Sequence, residues 1–302
     1  MAFFLAHSPR YQKLFVPLAL IMVTLVGFRF HKSRITDEES GSSSKRATRS
    51  FLRLVYFAEV YLVDGKTIRK APPSHSEDDM ESIIRETTIY NMMDDHPRTA
   101  QCTSRRRTDF VDVKYYPKGD LSEFCQKNEV SAELQSKWFR QVIEAVEVIH
   151  RYGVIHSDLA LRQFFVDDEL NIRLGDFNSS QYPEHPALGH VKATHCLPRD
   201  YAQPNTILSD LFALGSPLFE LDTGKAPYAE LYPAEFQDVA PSDTQIITRA
   251  QQRRAADAEV EKRFQNLQFP DVSHIFRGDV ILGCWTGRFT SAEVLQSSTN
   301  VY

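Results

Sequence analysis

The stretch of this 302-residue chain that most constrains its fold is VIHSDLALRQFFVDDELNIRLGDFN, residues 154–178. Two short apolar runs, predicted as strands at 163–166 and 171–174, flank the turn-forming DDEL. Strands joined by a tight turn run out and back, so the tripeptides at the two ends, HSD and GDF, return to one cleft. Aspartate is common in turns, and Asp158 or Asp176 alone would read as a turn residue. Ahead of the hairpin lies SAELQSKWFRQVIEAVEVIHRYG, a predicted helix with Ser131 as N-cap and Gly153 as its stop. Leu134, Trp138, Val142, Val146 and Ile149 fall on one apolar stripe of it.

The flanks divide by element type. FLRLVYFAEVYLVDGKTIRKAP alternates and is rich in Val, Tyr and Phe, which predicts strands over 51–63 and 66–70 around Asp64-Gly65. The two-residue period puts Lys70 on the same face as Ile68, with its stem turned inward. EDDMESIIRETTIYNMM carries Met80, Ile83, Ile84 and Met93 at helical spacing, with acidic residues in the first turn. A further strand is predicted over 108–117. From about 209 the pattern is mainly helical, through DLFALGSPLFEL, AEFQDV and TRAQQRRAADAEVEKRF. Strands first and helices after imply two unequal lobes rather than a doubly wound sheet.

At these residues the chain resembles the eukaryotic protein-kinase family. HSDLALRQ aligns with the catalytic loop H-R-D-L-x-x-x-N, and DFN with the metal-binding D-F-G. The resemblance implies an α+β, two-lobed protein-kinase-like fold, with a small mainly β lobe at 51–116 and a larger mainly α lobe at 117–298. It makes Asp158 the catalytic base, Asp176 a magnesium ligand and Gln163 the second metal ligand. Lys70 looks like the strand lysine that holds the α- and β-phosphates of ATP, and Glu86 like its ion-pair partner. The segment Val113-Lys114-Tyr115-Tyr116 falls where the family's hinge receives adenine through backbone groups, with Val113, Lys114 and Tyr116 as the contacts and Phe165 as an apolar floor. LPRD resembles the A-P-E motif and DLFALG the D-x-W-x-x-G helix, and CWTGRF holds Arg288, so an Asp200–Arg288 ion pair is expected. ATP and magnesium are the implied cofactors, and a protein hydroxyl the implied acceptor, serine or threonine before tyrosine.

The pattern also departs from the family. Residues 52–60, LRLVYFAEV, contain no glycine where a Gly-rich loop would let backbone N–H groups approach phosphates. Ser157 replaces the arginine that pairs with an activation-loop phosphate, and Ala160 replaces the loop lysine. Gln163 for Asn lengthens the metal arm by roughly 1.5 Å. Asn178 for Gly is the mildest change, since Asn tolerates positive φ. Two readings stay open: an active divergent kinase, or a pseudokinase scaffold that binds protein partners through the same frame.

Outside this region the chain says less. Residues 14–28, LFVPLALIMVTLVGF, are uncharged and apolar, with more Lys and Arg after them than before. A membrane anchor within 1–32, leaving the rest in the cytosol, is the expectation; a cleaved signal or a buried helix are the alternatives. Residues 33–50 have almost no apolar side chains and read as a flexible linker. A net charge of −5, with no basic stripe carrying interleaved aromatics, argues against a nucleic-acid partner. The run Arg105-Arg106-Arg107 is isolated and reads as a solvated loop. Cys102, Cys125, Cys196 and Cys284 are too scattered for a structural zinc site.

Overall fold

A computed structural model describes residues 49–55, 58–189, 191–234 and 242–299. The apolar segment 14–28, most of the linker at 33–50 and all but the first residue of AEFQDV lie outside them. Among the described residues, no helix is long and apolar enough to cross a membrane.

The chain opens on a four-stranded antiparallel sheet in the order β1-β2-β3-β4, with β1 at Arg49–Val55, β2 at Ala58–Val63, β3 at Thr67–Ala71 and β4 at Val111–Lys114. Asp64-Gly65 makes the β2–β3 turn, both residues at positive φ (55° and 72°), which is what a tight D-G hairpin requires. The run at 51–63 is not one strand, however. Val55 pairs with Ala58, so the chain reverses inside it. No Gly, Pro, Asn or Asp marks that reversal, and continuous β-branched and aromatic residues conceal it. Only two residues separate Val55 from Ala58, so this hairpin is short as well as free of glycine.

Helix α1, Glu77–Met92, follows. Ser76 caps it by accepting from the Asp79 N–H, and Glu77, Asp78 and Asp79 lie at its positive end, each worth about 0.3–1 kcal/mol when exposed. It buries Ile83, Glu86, Ile89 and Tyr90 against the sheet. Short helix α2, Leu121–Lys127, leads to α3, Ala132–Arg151, the central helix of the larger lobe. The predicted stripe is its core face: Trp138, Val142, Val146 and Ile149 are fully buried. Ser131 caps it and Gly153, at φ 72°, follows its end.

The hairpin of β5, Phe164–Val166, and β6, Ile172–Leu174, is held by α3. Trp138 Nε1 donates to the Leu170 carbonyl at 2.9 Å, and Gln141 Oε1 accepts from the Ile172 N–H at 3.0 Å. Within the turn, Asp167 Oδ1 accepts from the N–H groups of Glu169 and Asn171, so the DDEL segment folds by its own side chain. Among the described residues four more α-helices follow: α4 at Ile207–Thr223, α5 at Asp243–Gln265, α6 at Gly278–Trp285 and α7 at Ala292–Thr299. The α4 helix packs on both α3 and α6, and its N-terminus lies below the catalytic hairpin.

Candidate active site

The loop between α3 and β5 is fixed from below by one carboxylate. Asp210, in the first turn of α4 and 1% exposed, accepts from the His156 N–H at 2.6 Å and the Ser157 N–H at 3.0 Å. His150 Nε2 lies 3.1 Å from the same carboxylate. Ser157 has φ 65°, a conformation that costs a residue with a Cβ about 1–2 kcal/mol. The two bonds to Asp210 offset that strain and leave Asp158 aimed into the cleft.

Asp158 Oδ2 receives Arg162 Nη2 at 2.6 Å and Gln163 Nε2 at 2.8 Å. The positive charge missing at Ala160 is thus supplied by Arg162, two residues further on. Gln163 also accepts, through its carbonyl, the Gly175 N–H at 3.1 Å, and His156 Nε2 donates to the Gly175 carbonyl at 3.0 Å. These bonds join the two ends of the hairpin, so Asp158, Gln163 and the segment entering Asp176 are one unit. Asp176 sits at φ 65°. Phe177 beyond it is fully buried, edge-on to Tyr90 of α1 with ring centres 5.2 Å apart.

Lys70 crosses from the small lobe to meet this unit. Its Nζ lies 2.9 Å from both Glu86 oxygens and 2.5 Å from Asp176 Oδ1. Burial by itself would disfavour the ammonium, but Asp176 and Glu86 outweigh it and lift Lys70 above the ordinary lysine range. Burial also works against the Asp176 carboxylate; the charge and hydrogen bond of Lys70 prevail and hold it below its ordinary value. For fully buried Glu86, burial prevails over Lys70 and its pKa is raised. Two carboxylates therefore share one cation.

The cleft edge runs along β4. Val113 is core, paired with Ile68. The Lys114 N–H donates to Gln101 O at 2.9 Å and the Tyr115 N–H to Lys66 O at 2.7 Å. The Lys114 ammonium reaches Asp168 at 3.5 Å. Tyr116 accepts from the Gly119 N–H, while its own N–H makes no backbone hydrogen bond among the described residues. Buried N–H groups are nearly always paired, so an unpaired one at a cleft edge is a place for a ligand acceptor. The Tyr116 ring stacks on Phe165, centres 5.7 Å apart and planes 4° from parallel. A Cβ on Gly175 would lie 2.9 Å from the Phe165 ring, so this floor rests directly on the residue before Asp176.

Magnesium suits these donors. Among the described residues no three His, Cys, Asp or Glu side chains cluster as a protein-only metal cage would need. Magnesium is commonly held instead by one or two protein oxygens plus phosphates and water. Gln163 Nε2 is committed to Asp158, which leaves its Oε1 for a cation, and Asp176 Oδ2 stands beside the oxygen that Lys70 occupies.

The family model for the protein kinase domain matches residues 58–274. The chain belongs to the protein kinase family. NUAK family SNF1-like kinase 1 from Homo sapiens is 30% identical over 197 residues, 61% of this chain and 28% of that protein. Serine/threonine-protein kinase kin-29 from Caenorhabditis briggsae is 29% identical over 165 residues, 50% of this chain and 20% of that kinase. Carbon catabolite-derepressing protein kinase from Secale cereale is 31% identical over 139 residues, 44% and 27% of the two chains. The matched part thus spans between 20% and 28% of these relatives' lengths.

Two expectations fail in this kinase chain, the second of them in part. Asp200 and Arg288 form no ion pair. Arg288 Nη2 donates to the Asp279 carbonyl at 3.0 Å and lies 3.7 Å from the Asp279 carboxylate. Asp200 accepts from the Ala202 N–H at 2.9 Å, closing its own turn as the short Asp arm favours. The solvated-loop reading of Arg105-Arg106-Arg107 holds for Arg106 and Arg107, which are exposed, but not for Arg105. Arg105 Nη1 donates to the carbonyls of Tyr90 and Met93 at the end of α1, and Arg107 lies over the Phe110 ring, 4.4 Å from its centre. The last turn of α1 has no basic residue of its own, and Arg105 supplies that charge from outside the helix. The anchoring role of Asp210 was also not foreseen, though the Asp that opens DLFALG marked its position.

Proposed function

We propose that this chain is an ATP- and magnesium-dependent protein kinase that phosphorylates a protein hydroxyl, serine or threonine in preference to tyrosine. The observation that carries the reading is the junction at Lys70, where Glu86 of α1 and Asp176 from the other lobe meet one ammonium. It closes only when α1, the small sheet and the D-F-N segment stand in register, which is what nucleotide positioning requires. Two of the relatives above bear the name serine/threonine-protein kinase or SNF1-like kinase, in keeping with the acceptor class.

In the reaction, Asp158 accepts or orients the proton of the attacking hydroxyl. The new bond forms between that oxygen and the γ-phosphorus, and the bond from phosphorus to the β–γ bridging oxygen breaks, releasing ADP. Arg162 keeps the Asp158 carboxylate oriented. Lys70, anchored by Glu86, moves its charge from Asp176 onto the α- and β-phosphates. Asp176 and the Gln163 amide oxygen would hold magnesium, which when bound would supply charge neutralisation at the phosphates. The Tyr116 N–H, which has no backbone partner among the described residues, and the Phe165 ring take the base.

A melting curve with and without ATP and magnesium is the first test; ligand at a hundred times its Kd adds about 2.7 kcal/mol. Phosphotransfer to a mixed protein substrate is then compared with that of Asp158→Ala, which should fold and bind nucleotide but transfer nothing. No nucleotide-induced shift, or equal transfer by the variant, would reject the reading. Attachment to a membrane is proposed on the composition of residues 14–28 alone, and removing residues 1–32 should release the chain from the membrane fraction.

A further inference from the structure

Arg85 precedes Glu86 on α1, is 3% exposed, and has no part in the chemistry above. About 100° apart on the helix, the two side chains point different ways. Glu86 meets Lys70, whereas Arg85 turns toward the segment beyond Asp176. Its Nη1 donates to the Ser180 carbonyl at 2.8 Å, its Nη2 reaches Glu81 at 3.1 Å, and its guanidinium lies 5.3 Å from the Tyr182 ring centre. Nε is buried with no partner. A buried guanidinium with an unfilled donor is a costly placement, and such groups call for an explanation.

Ser180 gives that explanation, because it is a junction. It is fully buried, and its Oγ donates to the His156 carbonyl at 2.9 Å in the catalytic loop. Its N–H donates to Phe177 O, and the next residue, Gln181, exchanges both backbone hydrogen bonds with Ile155 at 2.9 Å. Arg85 is thus two hydrogen bonds from the catalytic loop, through Ser180, and one residue from Glu86. Rotating α1 to withdraw Glu86 from Lys70 would also tear Arg85 from Ser180. Position 157 has no such reach: Ser157 is buried, with its N–H on Asp210 and its Oγ on the Ile155 carbonyl.

We propose that Arg85 is a positioning residue that locks α1, and with it Glu86, to the catalytic loop through the Ser180 carbonyl and the Tyr182 ring, and that this lock needs no phosphate on the segment between Asp176 and Asp200. The anchor is a neutral carbonyl and an aromatic face, both present in the unmodified chain. The kinetic meaning of the lock rests on the kinase reading, but the lock itself does not.

Hydrogen–deuterium exchange on the full chain reads it without an activity assay. In Arg85→Met, the amides of Ser180 and Gln181 and those of α1 around Glu86 should exchange roughly tenfold to a hundredfold faster, the loss expected of one hydrogen bond to a charged group. Protection in α4 and α6 should not change. Arg85→Lys, which can still reach the carbonyl but cannot lie flat on the ring, should recover part of the protection. Phosphatase-treated wild type should match untreated protein. Unchanged exchange at Ser180 and Gln181 in Arg85→Met, or protection lost on dephosphorylation, overturns the proposal. Should Arg85→Met lose protection in α4 and α6 as well, Tyr182→Ala carries the test, and it must loosen the same amides or the proposal fails. A chain that binds no nucleotide leaves all these rates measurable, so failure of the kinase reading is seen separately.

Discussion

Lys70 Nζ and Asp176 Oδ1, 106 residues apart in sequence, meet at 2.5 Å. The contact makes the cleft an electrostatic unit whose sign of pH dependence can be worked out. The Asp176 contribution is present above its ordinary pKa of 3.8 and is lost as pH falls through its lowered folded value. The Lys70 contribution is present below 10.5 and is lost as pH rises through its raised value. Glu86, raised by burial, opposes Asp176: its contribution is present below 4.5 and is lost as pH rises through the folded value.

Lys70→Met should therefore reverse the slope. The buried Glu86 carboxylate and the partly exposed Asp176 carboxylate are left without their cation, and removing one partner of a buried pair costs about 3–5 kcal/mol. The loss should be small near pH 4, where the carboxylates take up protons, and should reach about 3 kcal/mol at pH 7. Urea unfolding of both proteins at the two pH values measures it. A loss that is the same at both would mean that the carboxylates are not coupled through Lys70.

Arg162→Ala tests the charge beside Asp158. The guanidinium is 2.6 Å from the carboxylate that meets the attacking hydroxyl, so its loss should act on kcat more than on KM for ATP. Removal of one preorganised charge at a reacting group typically lowers kcat about a hundredfold or more. Arg162→Lys should recover part of this. If KM for ATP rises while kcat holds, Arg162 belongs to nucleotide binding instead.

Much of this site was legible in the sequence because it is built from local rules. Ser131, Asp167 and Gly153 sit where cap and turn chemistry put them, and the α3 stripe is the core face. The pairing of Lys70 with Glu86 was implied by the family resemblance, strand period having turned the Lys70 stem inward, and the two side chains meet at 2.9 Å. What escaped was set by tertiary contact. Asp210 acts across the gap between α4 and the catalytic loop, Arg85 across the gap between α1 and Ser180, and neither spacing has a local period. The reversal between Val55 and Ala58 was expected only to within 52–60, from the resemblance, because the sequence there holds no turn former to mark its place.

His195 gives a second pH-dependent prediction. It is buried, its Nδ1 lies 2.8 Å from Thr194 Oγ1, and its Nε2 has no partner. Burial first, then the charges of Lys192 and Arg162, lower its pKa from 6.5 to about 3. A lowered folded pKa means stability that is present above 6.5 and lost as pH falls toward 3, because the unfolded chain takes the proton first. At pH 5 the loss from this residue should be roughly 2 kcal/mol. His195→Gln, which cannot titrate, should show a flatter stability profile between pH 6.5 and pH 4. Identical profiles would mean that water reaches the ring.

Gly215 tests the packing that holds the catalytic loop from beneath. A Cβ there would lie 2.6 Å from Trp285 Nε1 and 2.8 Å from its Cδ1, across the α4–α6 contact. Trp285 is 3% exposed and stacked on Phe269, ring centres 5.9 Å apart, so it has little room to retreat. Alanine in a helix interior gains about 1 kcal/mol over glycine. Overpacking a filled site costs typically 1–3 kcal/mol, and backbone against an immobile indole belongs at the upper end. The balance predicts that Gly215→Ala loses about 1–2 kcal/mol, roughly 3–6 °C in melting temperature for a chain of this size. Trp285→Phe should cost stability alone through the cavity it leaves, yet cost less in the Gly215→Ala background, because the smaller ring admits the methyl group. Additive losses in that double-mutant cycle would show that the two residues are not in the contact described.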